Sequence, residues 1–251
     1  GATGQAPSHP ELLDYLAVRF MEGGWSVKGV IRELVTSRTY RMSATFDKAA
    51  HAKDPDNALL WRARPRRLDA EALRDAMLTV SGAMDLERPR GSMVARRGDA
   101  VVGRRLGADA FNRPVNYRSV YLPFVRDALP ESLALFDPAD PNLVTGERES
   151  TNVPGQALFL MNNPFVMKQG EVMARRLVEE ADTLEARLAL AFMLCYGRVA
   201  DDEEVKQAKG FLWSFTTAAR KRGESGRRVE DLALSSLCQA LLVSAEFRYL
   251  N

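Results

Sequence analysis

Helix-period apolar sets, each with its own start and stop signals, fill both ends of this 251-residue chain and fail in its middle. Near the N-terminus, Leu12, Leu13, Leu16 and Phe20 follow Ser8-His9-Pro10. Pro10 suits the first helical position, where its missing N–H costs nothing. Gly23-Gly24 ends that helix, and Trp25-Ser26 opens a second with Val27, Val30, Ile31, Leu34 and Val35 on one face. A basic connector and the turn-forming Asp54-Pro55-Asp56-Asn57 come next. Asp69 is then placed to cap a third helix, with Leu68 and Leu73 as its hydrophobic staple and a face continuing through Met77, Leu78 and Val80 to about Met84.

The C-terminal hundred residues repeat this grammar. Val153 to Met161 forms one helix, and Asn163-Pro164 restarts the chain into a longer one through Val166, Val172, Met173 and Leu177. Asp182 with Glu185 reads as a capping box ahead of Leu184, Leu188, Ala191, Phe192 and Cys195, closed by Gly197. Asp201 with Glu204 repeats the device before Val205, Ala208, Phe211, Leu212 and Phe215. A last helix runs from about Val229 to Phe247.

Between them, from Asp85 to Thr151, the period is lost. Gly91, Gly98, Gly103 and Gly107 alternate with arginines, as in a loop or loose hairpin. Ser119 to Val125 is the one strand-like run, and Pro123 demotes it to an edge or extended segment. The expectation is a mainly α, irregular helical domain with a long arginine-rich loop segment and at most a small β element. Its parts are residues 1–84, 85–151 and 152–251, within one compact domain.

The chemistry-bearing residues exclude more than they assign. The two histidines, His9 and His51, sit at a helix start and in a polar connector. HExxH, GxSxG, GxGxxG and P-loop patterns are all missing from the sequence, so no catalytic residue is assigned. Cys195 and Cys238 belong to neither a CxxC nor a CxxCH and are expected as buried free thiols, with a helix-to-helix disulfide as the alternative. The longest apolar runs, Ala189 to Leu194 and Ala240 to Val243, fall far below the ~20 residues of a membrane span. No targeting signal is visible, and Gly1-Ala2-Thr3-Gly4 reads like the edge of an excised domain, so cellular location stays open.

Charge is distributed unevenly. The net charge is only +2, yet between Arg88 and Arg126 nine arginines face Asp99 and Asp109, seven net positive charges in 39 residues. A GC-rich genome would supply arginine in place of lysine, and from Asp54 to Met167 there are fifteen arginines and no lysine. The excess nevertheless suits anion capture by guanidinium groups, with Arg96, Arg97, Arg104, Arg105 and Arg118 as candidates. Nucleic acid is disfavoured because few aromatics interleave the basic run.

Downstream, the segment from Phe136 to Leu158 is too rich in Pro, Asp and Asn for helix or strand. Asp137, Asp140, Asn142, Arg148 and Glu149 are its expected structuring residues, with Arg113, Arg118 and Arg148 pairing to Asp137, Asp140 and Glu149. The same oxygen groups could hold calcium, but Asp-Pro turns need no metal and recur at Asp54-Pro55. No metal is assigned.

Several stretches together resemble one family. They are Pro7 to Ser43, Asp54 to Gly82, the run YRSVYLPFVR, the FDPADPN and RESTNVPGQALFLMNNPFV blocks, and the closing SSLCQALLVSAEFRYLN. These are similar to the C-terminal domain of unknown function in large planctomycete and verrucomicrobial secreted proteins, which follows a cytochrome-c-like module. The resemblance implies an extracytoplasmic location, a multidomain parent and haem c in an upstream module. This chain has no CxxCH, so no cofactor is expected in it. The function expected is a non-catalytic interaction module for an anionic partner, either a polysaccharide or neighbouring domains of the parent protein. The rival is an enzyme for sulfated or acidic polysaccharide, built around Asp137, Asp140, Arg118 and Arg148.

Overall fold

Eleven α-helices, one 3-10 turn and one two-stranded antiparallel sheet make up the regular structure among the described residues, about 60% of which are helical. The computed structural model describes residues 6–92, 94–95, 114–125, 129–139, 148–224 and 226–250. The protein is therefore mainly α. The chain separates into two units, one ending at residue 66 and one spanning 67–250. The boundary falls ahead of the third long helix.

In the N-terminal unit, α1 (Pro10–Glu22) and α2 (Val27–Thr36) form a hairpin, and α3 (Lys48–Lys53) follows. Gly24 and Trp25, at φ 69° and 61°, make the left-handed turn between the first two. Ser26 Oγ then accepts the Gly29 N–H at 3.1 Å and starts α2. Glu33 on α2 ties the hairpin by accepting from Tyr15 and pairing with Arg19 at 3.5 Å. Yet neither α1 nor α2 buries a single residue. The helix α3 lies where only a basic connector was expected, capped by the Asp47 carboxylate on Ala50 N–H. The Asp54-Pro55-Asp56-Asn57 turn is present: Asp54 accepts the N–H groups of Ala58 and Leu59, and Asn57 bonds both backbone groups of Arg62.

The larger unit contains α4 (Ala70–Ser81), α5 (Glu131–Ala134), α6 (Pro154–Asn162), α7 (Pro164–Glu180), α8 (Leu184–Tyr196), α9 (Asp202–Lys221), α10 (Arg227–Val243) and α11 (Ala245–Arg248). Its centre is α7, which packs on α10 and on α4. Leu73, Met77, Val166, Met173, Leu177, Leu188, Leu237, Cys238 and Leu242 form one buried cluster between these helices. Deleting such a side chain to Ala typically costs about 2–5 kcal/mol. The α7–α10 contact is close enough that a Cβ at Gly170 would lie 2.9 Å from the Ser235 carbonyl oxygen and 3.2 Å from Gln239 Cβ. Glycine is required there because the partner atom is backbone and cannot swing away.

Helix ends follow the expected chemistry with some displacements. The Asp201–Glu204 capping box is complete at the start of α9. At α8 the cap is Thr183, accepting from Ala186 N–H, so Asp182 is one residue too early. Asp69 stands at the N-cap of α4 but makes no side-chain cap bond. The final helix breaks at Ser244, which caps α11 through Phe247 N–H. The strand-like run from Ser119 is not a strand: Ser119–Tyr121 is a 3-10 turn. The strands are instead β1 (Arg66–Arg67) and β2 (Tyr249–Leu250), two residues each. Both thiols are free; Cys238 is buried on α10 and Cys195 lies on α8, 4.0 Å from Met173 Sδ. Burial pushes the Cys195 thiol up to about 12 and raises Cys238 as well.

Candidate functional site

Two adjacent residues of α4 hold the described part of the arginine-rich middle. Arg74 is 6% exposed on a helix face otherwise made by Ala70, Leu73 and Met77. Its guanidinium donates to the carbonyl oxygens of Tyr117 (3.0 Å) and Val115 and to Ser119 Oγ (3.1 Å). Asp75 completes the clasp by accepting from Ser119 N–H at 2.8 Å and Ser119 Oγ at 2.6 Å. Burial lowers the Arg74 pKa while the neighbouring Asp75 opposes the shift. The ring of Phe165 lies 5.5 Å from the guanidinium carbon. Asp85 N–H donates to Asn116 O at 3.0 Å, so the segment is held from two sides. An arginine in the apolar register of a helix was the available signal for this clasp, and sequence reasoning passed over it.

The clasped segment forms one wall of a cleft of about 810 Å³. Tyr121, Leu122 and Phe124 line that wall, and Arg88, Arg90 and Ser92 line the other. Both arginines are exposed, and the Tyr121 and Phe124 side chains remain partly open at 37% and 41%. Tyr117 supports Tyr121 edge-to-face, with ring centroids 6.4 Å apart. Guanidinium donors opposite half-open aromatic rings can hold an anionic group and an apolar face of one ligand at once. Arg118 is exposed and has no ion-pair partner among the described residues. Arg96, Arg97, Arg104 and Arg105, with Arg113 and Arg126, lie outside the described residues.

The loop residues are paired differently from expectation. Asp137, at φ 54°, meets Arg67 (Nη2–Oδ2 2.6 Å) and accepts Thr151 N–H and Oγ1–H, each at 2.8 Å. Arg67 also donates to Thr151 O and to Gln156 Oε1 at 3.1 Å, and Gln156 Nε2 donates to Leu135 O at 3.0 Å. Burial works to raise the Asp137 carboxyl, but the Arg67 and Thr151 bonds outweigh it and hold it below the ordinary aspartate range. Arg148 pairs with Glu71 on α4, two-pronged at 2.7 and 3.1 Å, and not with Asp137 or Glu149. Glu149 is exposed. Asp140 and Asn142 lie outside the described residues. The true partners Arg67 and Glu71 are 70 and 77 residues away along the chain. Only the fold brings Arg67 on β1 and Glu71 on α4 to the loop.

Among the described residues, no group of three or more His, Cys, Asp or Glu side chains could hold a metal ion. No described helix is long and apolar enough to cross a membrane.

Comparison with known proteins places the chain in one family. The model of PSD1, described as a protein of unknown function (DUF1553), matches residues 1–212, and the chain belongs to that family. No curated protein and no solved structure gives a match.

Proposed function

We propose that this family member is a non-catalytic interaction module for an anionic polysaccharide, bound in the cleft between Arg88 and Arg90 on one side and Tyr121 and Phe124 on the other. The observation that carries the proposal is the pairing of exposed guanidinium groups with half-open aromatic rings on a wall clasped by Arg74 and Asp75. Sugar rings offer apolar faces to stack on Tyr121 and Phe124, and sulfate or carboxylate groups accept two-pronged bonds from arginine. The wider charge excess from Arg88 to Arg126 would add long-range attraction, screened beyond ~8 Å at physiological salt. An extracytoplasmic parent with an upstream haem c module, as the family resemblance implies, would give such a surface access to polysaccharide.

What favours binding over hydrolysis is the state of Asp137. A general acid for glycoside cleavage needs a raised pKa, whereas Asp137 is held low and already bonded to Arg67 and Thr151. Retention on immobilised heparin and fucoidan across a salt series tests the proposal. The double variant R88S/R90S should elute several-fold earlier in salt, and Y121A/F124A should weaken binding at every salt concentration. Equal retention of both variants and the wild type would overturn it. Release of reducing ends by the wild type would transfer the case to an enzyme for acidic polysaccharide.

A further inference from the structure

The two walls of the cleft between Arg88 and Tyr121 leave one point and are held differently. Asp85 and Tyr117 form a parallel β-bridge there, and Asp85 Oδ1 accepts the Glu87 N–H at 2.9 Å as the chain turns toward Arg88. From 86 to 92 no residue is buried. On the opposite wall Ser119 and Pro123 are buried and Leu122 packs on the core, so Tyr121 and Phe124 are carried on anchored backbone. Ser119 anchors through polar bonds. Its hydroxyl proton goes to Asp75 Oδ1 at 2.6 Å, and the hydroxyl oxygen accepts from Arg74 Nη1 at 3.1 Å, so one side chain serves as donor and acceptor at once. Its carbonyl oxygen accepts the Leu122 N–H at 2.9 Å, and Arg118 O accepts the Tyr121 N–H at 3.0 Å. The turn that carries Tyr121 therefore begins at the clasped residue. The Tyr121 ring meets Tyr117 edge-on, and Arg74 holds the Tyr117 carbonyl at 3.0 Å.

We propose that Ser119 is the positioning residue that sets the specificity of this cleft: its bonds to Asp75 and Arg74 preset the aromatic wall, and the cleft thereby selects polyanions built of sugar rings over ringless ones. The inference rests on the polysaccharide reading above and deepens it by separating two kinds of anion. Exposed guanidinium groups attract any polyanion through charge. Rings fixed before binding favour a ligand with a flat apolar face, because no ordering of the wall is left for the binding step. Ser119 does not line the cleft, so it acts only through the residues that do. Loss of its hydroxyl removes two bonds of the clasp and leaves the Ser119 N–H on Asp75 at 2.8 Å. Tyr121 and Phe124 then gain freedom, while Arg88 and Arg90 on the other wall are untouched.

The experiment compares heparin with inorganic polyphosphate of similar charge, by calorimetry on the full chain at one fixed salt concentration. The wild type should prefer heparin, since polyphosphate offers charge alone. S119A and D75A should each lose about fivefold or more of heparin affinity, the scale of re-immobilising two side chains, with polyphosphate affinity unchanged. S119A added to Y121A/F124A should bring no further loss, because the rings it positions are gone. Thermal melts check that each variant keeps the fold; if D75A does not, S119A decides, because it retains the backbone bond to Asp75. Parallel loss of heparin and polyphosphate would reduce Ser119 to a structural residue and overturn the proposal. So would a wild type without heparin preference, heparin affinity unmoved in S119A, or a full further loss in the triple variant. Failure of the cleft reading itself shows separately, as heparin binding unmoved by both R88S/R90S and Y121A/F124A.

Discussion

The N-terminal hairpin and the α7–α10 pair are both built from amphipathic helices, but they end in opposite states. On α2, Val27, Ile31, Leu34 and Val35 hold a clean helical period, and all four are exposed, between 38% and 62%. On α7 and α10, Met173, Leu177, Cys238 and Leu242 hold the same period and are fully buried. Periodicity therefore reports that a segment is helical and which face is apolar, but not what covers that face. The difference lies in the partner surface. The α7–α10 contact has a glycine where the backbones approach, together with buried leucines from both helices, whereas within its unit the hairpin packs α1 on α2.

The largest test of this contrast is a pair of truncations. Leu242→Ala should destabilise the larger unit by about 3–4 kcal/mol, as expected for a fully buried leucine. Leu34→Ala, from a side chain 41% exposed, should cost less than about 1 kcal/mol. Denaturant unfolding monitored by circular dichroism reads both, and similar costs would show that the hairpin's apolar face is covered in solution. Next in size is Gly170→Ala, which should cost about 1–3 kcal/mol, because the new methyl meets the Ser235 carbonyl at 2.9 Å. The same change at Gly210 on α9, where nothing lies within 4 Å, should be neutral or stabilising. Equal effects at the two sites would mean that the helices do not approach as closely as described.

The smallest effect concerns acid. Glu204 accepts from the Arg198 guanidinium through its carboxylate oxygens (Nη2–Oε1 2.6 Å), and that bond, against some desolvation, holds its pKa down to about 2 from an ordinary 4.5. Asp137 and Glu71 are also held low, in each case by arginine bonds that outweigh burial. Groups with depressed pKa values stabilise the fold above their unfolded pKa and lose that contribution as pH falls toward the folded value. The larger unit should therefore weaken between about pH 4.5 and 2, and E204Q should flatten part of that slope. These three carboxylates all lie in the larger unit, so the hairpin's melting should be less sensitive over the same range. A slope unchanged in E204Q would remove Glu204 from this account.

Helices were the most legible part of the sequence because their signals are local. Pro10, Ser26, Gly197 and the Asp201–Glu204 box all stand at helix ends, whereas the third helix, expected to reach about Met84, stops at Gly82. Errors occurred where two local signals competed, as Asp182 did with Thr183 for the start of α8. The site was legible only as charge. The arginine excess included Arg88 and Arg90 but the candidates drawn from it were Arg96, Arg97, Arg104, Arg105 and Arg118, and Tyr121 and Phe124 read as part of an extended, strand-like run, because the clasp on Ser119 comes from Asp75, 44 residues earlier. Arg67 could not be matched to Asp137 for the same reason. Buried polar pairings between distant residues leave no period in the chain.

The Asp137–Thr151 contact, with Arg67 bonded to both, works as a buckle that joins two points 14 residues apart. A buckle of this kind separates the length of what it encloses from the stability of what it closes. Closure entropy grows only with the logarithm of loop length, about 0.6 kcal/mol for each doubling. Arg67, Asp137, Thr151 and Gln156 keep the two ends registered on the helical body. In this molecule, intolerance to change at the loop's ends belongs to those four residues.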